Sequence, residues 1–393
     1  MAAGASTNET GAGQRSRTVS LLLLGAVAAS LALATRAPMA TAVIGLILFG
    51  VLHNVLEVRY VVGRFSALLT RPFLDLLAAL VAGVVACRLL AMVAPGSARL
   101  AEIVLGYAIL AAAAHHGLQG RRRLIAFLTL GLATVASLAF PAYHFLVLAH
   151  LPNVVPLFFL WDWSRRIGSR RGRRVFRAVQ LLWVVVVPAV VLLGGVDGWL
   201  GAGPGVVRSV VGDGQSLLAA SAPPGAAVTV VALRLLTVFA FMQTMGYVVW
   251  IAFLPRVAPD AAAAFETRAP WATGPRLWAA GFVAAALFAV LFGVDFGRAT
   301  TLYAALASVA TYLELPVLLL LLTGGLAGGL AGGLAGGLAA EHGPDGRDGR
   351  ADGDDPGHEG GTVIPLPETR GAAPQVPTAL PLEGPGSAGR HSA

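Results

Sequence analysis

The chain contains no lysine, a single cysteine and few charged residues of either sign. All 28 basic residues are therefore arginines. Because Cys87 is the only cysteine, an intrachain disulfide and a CxxC metal or redox motif are both excluded. Charged residues make up 12% of the chain, whereas roughly 25% is usual for a soluble domain. This shortage of charge argues against a soluble globular protein.

The sequence motifs of several well-known enzyme classes are also missing. The chain has no Walker A loop, no GxSxG, no HExxH and no closely spaced HxxHH or HxxxH histidine box. These absences argue against a P-loop nucleotidase, a nucleophile-elbow hydrolase and a zinc protease of the usual pattern. An internal repeat of the kind found in many transporters is not visible either. Functional residues must therefore be sought within the apolar part of the chain.

Long apolar runs are what the sequence does contain. Hydrophobic residues make up 56% of the chain, and its mean hydropathy is +0.75. A run of about 18 or more apolar residues can cross the bilayer core as a helix, and Pro141 divides the longest run into a tight hairpin. The fold class predicted is all-α, a polytopic transmembrane helical bundle of ten spans at 18–35, 39–61, 73–94, 98–118, 124–140, 143–163, 176–195, 228–254, 277–294 and 300–323.

Arginine placement predicts the orientation of these spans. The loops near Arg59–Arg71, Arg121, Arg165–Arg177 and Arg256–Arg276 are basic, and the loops between them along the chain are poor in arginine. With ten spans the two sets alternate without exception. The positive-inside rule then predicts a multi-pass protein of the cell membrane with both termini in the cytoplasm. The partner predicted for the basic loops is the lipid bilayer and not a nucleic acid.

The segments outside the spans are rich in small and polar residues. Residues 1–17 and 341–393 are predicted to be disordered cytoplasmic termini. The Gly/Leu/Ala repeat at 324–340 would present paired glycines on one helix face, but its glycine content favours a flexible linker. The first apolar run, 18–35, also fits a cleaved signal peptide, although a retained span is preferred. The loop at 196–226 is either a connector or a lid.

Ionisable residues within the spans are the candidates for function, because charge is costly inside a bilayer. His53 and Glu57 lie four residues apart in the second span and therefore share one helix face. An imidazole and a carboxylate at this spacing can share a metal, relay a proton or orient one another. Alternatively, Glu57 lies close enough to the interface to extend toward water.

Further candidates lie in four other spans. His150 precedes Pro152 and Pro156, which free backbone carbonyls in the sixth span. His116 ends the fourth span, beside His115. Gln243 and Tyr247 share a face of the eighth span, and Glu314 precedes the Pro316 kink in the tenth. Depth alone predicts that most of these residues lie in the cytoplasmic half of the bundle.

The leading hypothesis is an intramembrane enzyme that acts on a lipophilic small molecule. In this hypothesis a histidine-rich intramembrane site binds iron or zinc, which favour imidazole ligands, or performs acid–base chemistry. Two alternatives use the same residues: a transporter for a small solute or a proton-coupled substrate, and a non-catalytic scaffold. The assigned metal ligands are His53, His116 and His150, and the assigned catalytic residues are Glu57, Glu314, Tyr247 and Gln243.

Overall fold

The computed structural model describes the backbone of residues 5–226 and 229–341 and the side chains of 18–226 and 229–323. Two compact units divide the chain, Met1–Gly337 and Leu338–Ala393, and the account below concerns the first. Within these residues the fold is all-α, and ten helical segments are long and apolar enough to cross a membrane. They are numbered spans 1 to 10: Thr18–Arg36, Pro38–Arg64, Arg71–Leu90, Pro95–Gly117, Gly120–Ala139, Pro141–Arg166, Arg170–Leu192, Val230–Val257, Gly274–Val294 and Phe296–Thr323.

The ten spans and their order confirm the sequence-based prediction, including the hairpin at Pro141. Most spans are single helices, but three are interrupted. Span 6 consists of Pro141–His150 and Val155–Trp163, joined by a 3₁₀ turn over Leu151–Asn153. Spans 7 and 8 contain π-helical segments at Leu182–Val186 and Val248–Phe253. Proline explains the break in span 6, since Pro152 cannot donate a backbone hydrogen bond.

Helical structure extends beyond the apolar runs at both ends of the bundle. The first helix begins at Ala5, inside the segment 1–17 that composition predicts to be disordered. The last helix runs from Phe296 to Glu341 through the glycine repeat that composition assigns to a linker. Extending an existing helix is easier than nucleating a new one, because each added residue then forms one backbone hydrogen bond. The predicted disorder of 342–393 lies outside the described residues.

Spans 2, 8 and 10 form the centre of the bundle. In their most apolar stretches, 50%, 67% and 61% of the residues are buried, whereas the figure for span 5 is 0%. Glycines let span 2 approach its neighbours closely. A Cβ on Gly50 would lie 2.9 Å from the Tyr303 ring of span 10, and one on Gly45 would lie 3.0 Å from the Tyr247 ring of span 8. Span 2 is therefore in direct contact with both other central helices.

The arginine-rich loops meet at one end of the bundle, which is called the Arg-rich end below. Arg64 donates to Asp162 at 2.7 Å, and Arg166 forms a two-bond pair with Asp260 at 2.7 and 2.9 Å. These contacts join the end of span 2, the end of span 6 and the helix Pro259–Arg268. The hydrogen bonds from Arg166 lower the pKa of Asp260 below its usual value.

The long loop between spans 7 and 8 covers part of the opposite end. It contains short helical segments at Asp197–Trp199, Gly205–Val207, Arg208–Val211 and Gln215–Ser221. Its Gly201 N–H donates to the Thr35 carbonyl at the end of span 1 at 2.9 Å. Asp197 pairs with Arg234 at the start of span 8, and this hydrogen bonding lowers the pKa of Asp197. The loop is thus tied to the end of span 1 and the start of span 8.

A buried polar cluster between spans 2, 8 and 10

The candidate site begins with one face of span 2, where His53 and Glu57 lie one helical turn apart. His53 Nε2 is 3.2 Å from a Glu57 carboxyl oxygen. His53 Nδ1 lies 2.9 Å from the Gly50 carbonyl oxygen. A carbonyl can only accept, so Nδ1 carries a proton and donates it. The second ring nitrogen, Nε2, is therefore the one that shares a proton contact with Glu57.

Glu314 of span 10 faces Glu57 across the helix interface. The two carboxyl groups are close enough to interact electrostatically. Both are buried, with Glu57 3% and Glu314 1% exposed, and Glu314 Oε1 has no hydrogen-bond partner among the described residues. Two ionised carboxylates repel each other in a buried site, which favours a proton on one of them. His53, Glu57 and Glu314 thus form a continuous chain, which is called the relay below.

The contacts of the relay indicate how many protons it can hold. The contact between His53 Nε2 and Glu57 needs one proton. Repulsion between the Glu57 and Glu314 carboxylates favours a second proton on one of them. With two protons, the two negative charges of the carboxylates are balanced and the relay is neutral. The protons can be placed in more than one way without changing that total. A neutral group that can shift protons internally suits a membrane interior, where net charge is costly.

Asn54 and Tyr303 continue the polar cluster on the far side of His53. Asn54 donates to the Gly50 carbonyl at 2.8 Å and to the Tyr303 hydroxyl at 3.2 Å. The same Gly50 carbonyl accepts from His53, so one backbone oxygen orients two side chains of the cluster. Tyr303 was not identified from the sequence. A single tyrosine in an apolar span carries no periodic signal that distinguishes it from a packing residue.

Gln243 and Tyr247 of span 8 do share a face, as their spacing predicts. The Gln243 amide donates to the Tyr247 hydroxyl at 2.5 Å and to the Ala42 carbonyl of span 2 at 3.2 Å. The Tyr247 ring packs edge-on against His53, with 5.2 Å between the ring centroids. Tyr247 therefore borders the relay through its ring, while its hydroxyl bonds to Gln243. The catalytic roles assigned to both residues stay predictions.

The other two histidines assigned as metal ligands have different surroundings. His116 is exposed and stacks on Phe73 of span 3, with ring centroids 4.4 Å apart. His150 lies 3.2 Å from the Ser221 carbonyl of the long loop and packs edge-on against Phe239. Neither shares a hydrogen bond or ring contact with His53 in the described part of the chain. Adjacent His115 is also exposed, so neither residue of that pair faces the core.

No group of three or more His, Cys, Asp or Glu side chains in the described residues is arranged to hold a metal ion. The proposed set of His53, His116 and His150 is thus not assembled in one place, and its binding of iron or zinc stays a prediction. No known protein family, curated protein or solved structure matches this chain. Its function must be argued from the geometry of the cluster itself.

A second buried polar group lies beside the first. Arg88 of span 3 donates twice to Glu102 of span 4, at 2.7 and 2.9 Å, and once to the Ala304 carbonyl of span 10 at 3.2 Å. Tyr312 of span 10 also donates to Glu102, at 3.1 Å. From their depth in the sequence, Arg88, Glu102 and Arg234 are expected either to form an outer ion-pair cluster or to extend separately toward the interface. Arg88 and Glu102 do form a pair, whereas Arg234 pairs with Asp197.

Proposed function

We propose that this protein is a proton-coupled membrane transporter in which His53, Glu57 and Glu314 carry the proton. The relay is the observation that supports this function. It runs from an imidazole that is 19% exposed to a carboxyl group that is 1% exposed, and it crosses from span 2 to span 10. Ionisable side chains inside a membrane bundle commonly mark ion and proton pathways.

The interrupted helices support transport as well. Spans 6, 7 and 8 each depart from regular α-helix within the bundle, at Leu151–Asn153, Leu182–Val186 and Val248–Phe253. Helix breaks inside the membrane are typical of transporter binding sites, and π-helical segments often occur at functional positions. Such segments can change conformation at lower cost than a regular helix. In the proposed transporter, these segments are where helices would bend as solute and proton cross the membrane.

A second candidate, an intramembrane acid–base enzyme, is favoured by one feature of the surface. Phe49 is 43% exposed on the same face of span 2 as His53, and both rings contact Tyr247. A lipophilic molecule in the bilayer could approach the relay along this apolar surface. His53 would then act as the general base, with Glu57 as its orienting partner.

The two functions separate in one experiment on purified protein in liposomes. An imposed pH gradient is applied with a panel of small solutes, and proton movement is followed with an enclosed pH-sensitive dye. Transport predicts solute uptake coupled to proton movement, which Glu57→Gln and Glu314→Gln remove because an amide cannot carry the proton. Exposed Asp75 of span 3 supplies the control: Asp75→Asn makes the same chemical change outside the relay and should leave uptake intact.

Infrared spectroscopy tests the relay without any knowledge of the solute. The proton count predicts a protonated carboxyl band in the resting protein that Glu314→Gln removes or shifts and Asp75→Asn leaves in place. Full coupled uptake by a folded Glu314→Gln protein would refute the transport proposal. Conversion of a lipophilic substrate without solute uptake, lost in His53→Ala, would favour the enzyme instead.

A further inference from the structure

A separate cavity of about 610 Å³ lies at the Arg-rich end, away from the relay. It is bounded by the turn between spans 4 and 5, the segment after span 2 and the end of span 10. The turn approaches span 10 closely, since a Cβ on Gly117 would lie 2.2 Å from a methyl carbon of Leu320. The residues that line the cavity are Leu68, Gly117, Leu118, Gln119, Arg121, Arg122, Leu320 and Thr323.

The lining combines leucine walls with two arginines. Leu68, Leu118 and Leu320 supply apolar surface, while Arg121 and Arg122 lie at the start of span 5. Some arginines at this end have acidic partners, as Arg64 has Asp162. Within the described residues, the side chains of Arg121 and Arg122 form no ion pair or hydrogen bond, and both are exposed. Two positive charges without an acidic partner therefore border the apolar part of the cavity.

The position of these arginines at the start of their helix adds to the local excess of positive charge. The first turn of Gly120–Ala139 contains no acidic residue, and Gln119 at its N-cap position makes no capping hydrogen bond with its side chain. The N-terminal end of a helix carries partial positive charge, so cations there are unfavourable and anions are favourable. An anion in the cavity would interact with both guanidinium groups and with this end of the helix.

We propose that this cavity binds an anionic phospholipid. The phosphate would pair with Arg121 and Arg122, and an acyl chain would lie against half-buried Leu68 and the edges of Leu118 and Leu320, which are 6% and 8% exposed. Basic pockets between transmembrane helices are suited to anionic lipid headgroups. A lipid fits better than a free phosphate ion, because the lining joins apolar side chains to the two arginines. The proposal goes beyond the transport function and does not depend on it.

The experiment measures lipid binding by the full-length protein in nanodiscs. Discs contain phosphatidylcholine with increasing amounts of phosphatidylglycerol, and bound lipid is counted by native mass spectrometry. The double variant Arg121→Gln/Arg122→Gln should weaken phosphatidylglycerol binding about tenfold or more, since each basic residue near an anionic surface contributes roughly a fivefold factor. Thr323→Trp, which narrows the cavity with a bulky side chain and keeps both arginines, should weaken binding as well.

The matched control is Arg170→Gln/Arg171→Gln. These two exposed arginines also occupy the first turn of a helix, Arg170–Leu181, and do not line the cavity. Equal loss of binding in the two double variants would mean that net charge alone attracts the lipid, and would overturn the proposal. Displacement of the lipid by inorganic phosphate alone would also overturn it, in favour of a free-anion site. Thermal unfolding of each variant confirms that loss of binding is not loss of fold.

Discussion

Glu102 and Glu314 show at the residue scale how surroundings decide what a buried carboxyl group can do. Their exposures are almost equal, at 3% and 1%. Glu102 accepts hydrogen bonds from Arg88 and Tyr312, so its negative charge is compensated. Glu314 instead faces another carboxyl group and has an oxygen without a partner in the described residues. The first geometry compensates a fixed charge, and the second is the one to which the transport proposal assigns a mobile proton.

The Arg88–Glu102 pair is therefore expected to stabilise the packing of spans 3, 4 and 10 without taking part in proton transfer. Removal of one partner leaves the other charge buried without compensation, which lowers the free energy of unfolding by about 3–5 kcal/mol. We predict that Arg88→Leu and Glu102→Leu each lower the free energy of unfolding by about this much, and that the double variant loses less than either single variant. Thermal and denaturant unfolding in detergent would measure both effects.

The outcome that contradicts this interpretation is additivity. If the double variant lost the sum of the two single losses, the two charges would not act as a compensating pair. Proton-coupled uptake, measured on the folded variants, should be unchanged, because neither residue belongs to the relay.

At the scale of single helices, span 2 is set apart by how closely other backbone elements approach it. A Cβ on Gly63 would lie 1.9 Å from the Ala261 carbonyl oxygen of the helix Pro259–Arg268. That oxygen belongs to the backbone and cannot move aside as a flexible side chain can. The glycine therefore allows the Pro259–Arg268 helix to pack directly on the end of span 2.

We predict that Gly63→Ala destabilises the protein by about 1–3 kcal/mol or more, the usual cost of overpacking a close contact. Gly131 of span 5 is the matched control, because a Cβ there meets nothing within 4 Å. Gly131→Ala should be neutral or slightly stabilising, since alanine is the better helix former. Melting temperatures in one detergent compare the two variants, and equal melting temperatures would show that the close approach is not required.

At the scale of the whole molecule, the alternation of arginine-rich and arginine-poor loops predicts which end of the bundle faces the cytoplasm. The ion pairs between Arg64 and Asp162 and between Arg166 and Asp260 are in line with one shared end for the basic loops. Which side of the membrane this end faces is a prediction of the positive-inside rule.

The single cysteine makes this orientation easy to test. In a Cys87→Ser background, Gly168→Cys places a thiol in the arginine-rich loop after span 6, and Ser216→Cys places one in the long loop after span 7. Both positions are exposed. We predict that a membrane-impermeant maleimide added to intact cells labels the thiol at 216 and not the one at 168. The reverse pattern would invert the topology.

The number and approximate positions of the spans, and their all-α class, were predictable from the residues alone. Their exact ends were not, since span 7 begins at Arg170 where residue 176 was predicted. Hydropathy depends on composition within a window of the chain, and a bilayer requires every buried backbone group to bond within its own helix. The pairing of His53 with Glu57 was predictable for a similar reason, because residues four apart share a helix face wherever that helix packs.

Contacts between spans were decided by packing. Glu314 could be recognised as a buried carboxyl group, but its position against Glu57 depends on how spans 2 and 10 are rotated and how closely they approach. Glycines such as Gly50 permit that close approach, but the hydropathy pattern gives no sign of it. His116 was grouped with His53 by its depth in the membrane, and His150 was singled out by its position beside Pro152 and Pro156. Neither feature determines how a helix is rotated within the bundle. Only the rotation and spacing of neighbouring helices determine which polar side chains meet.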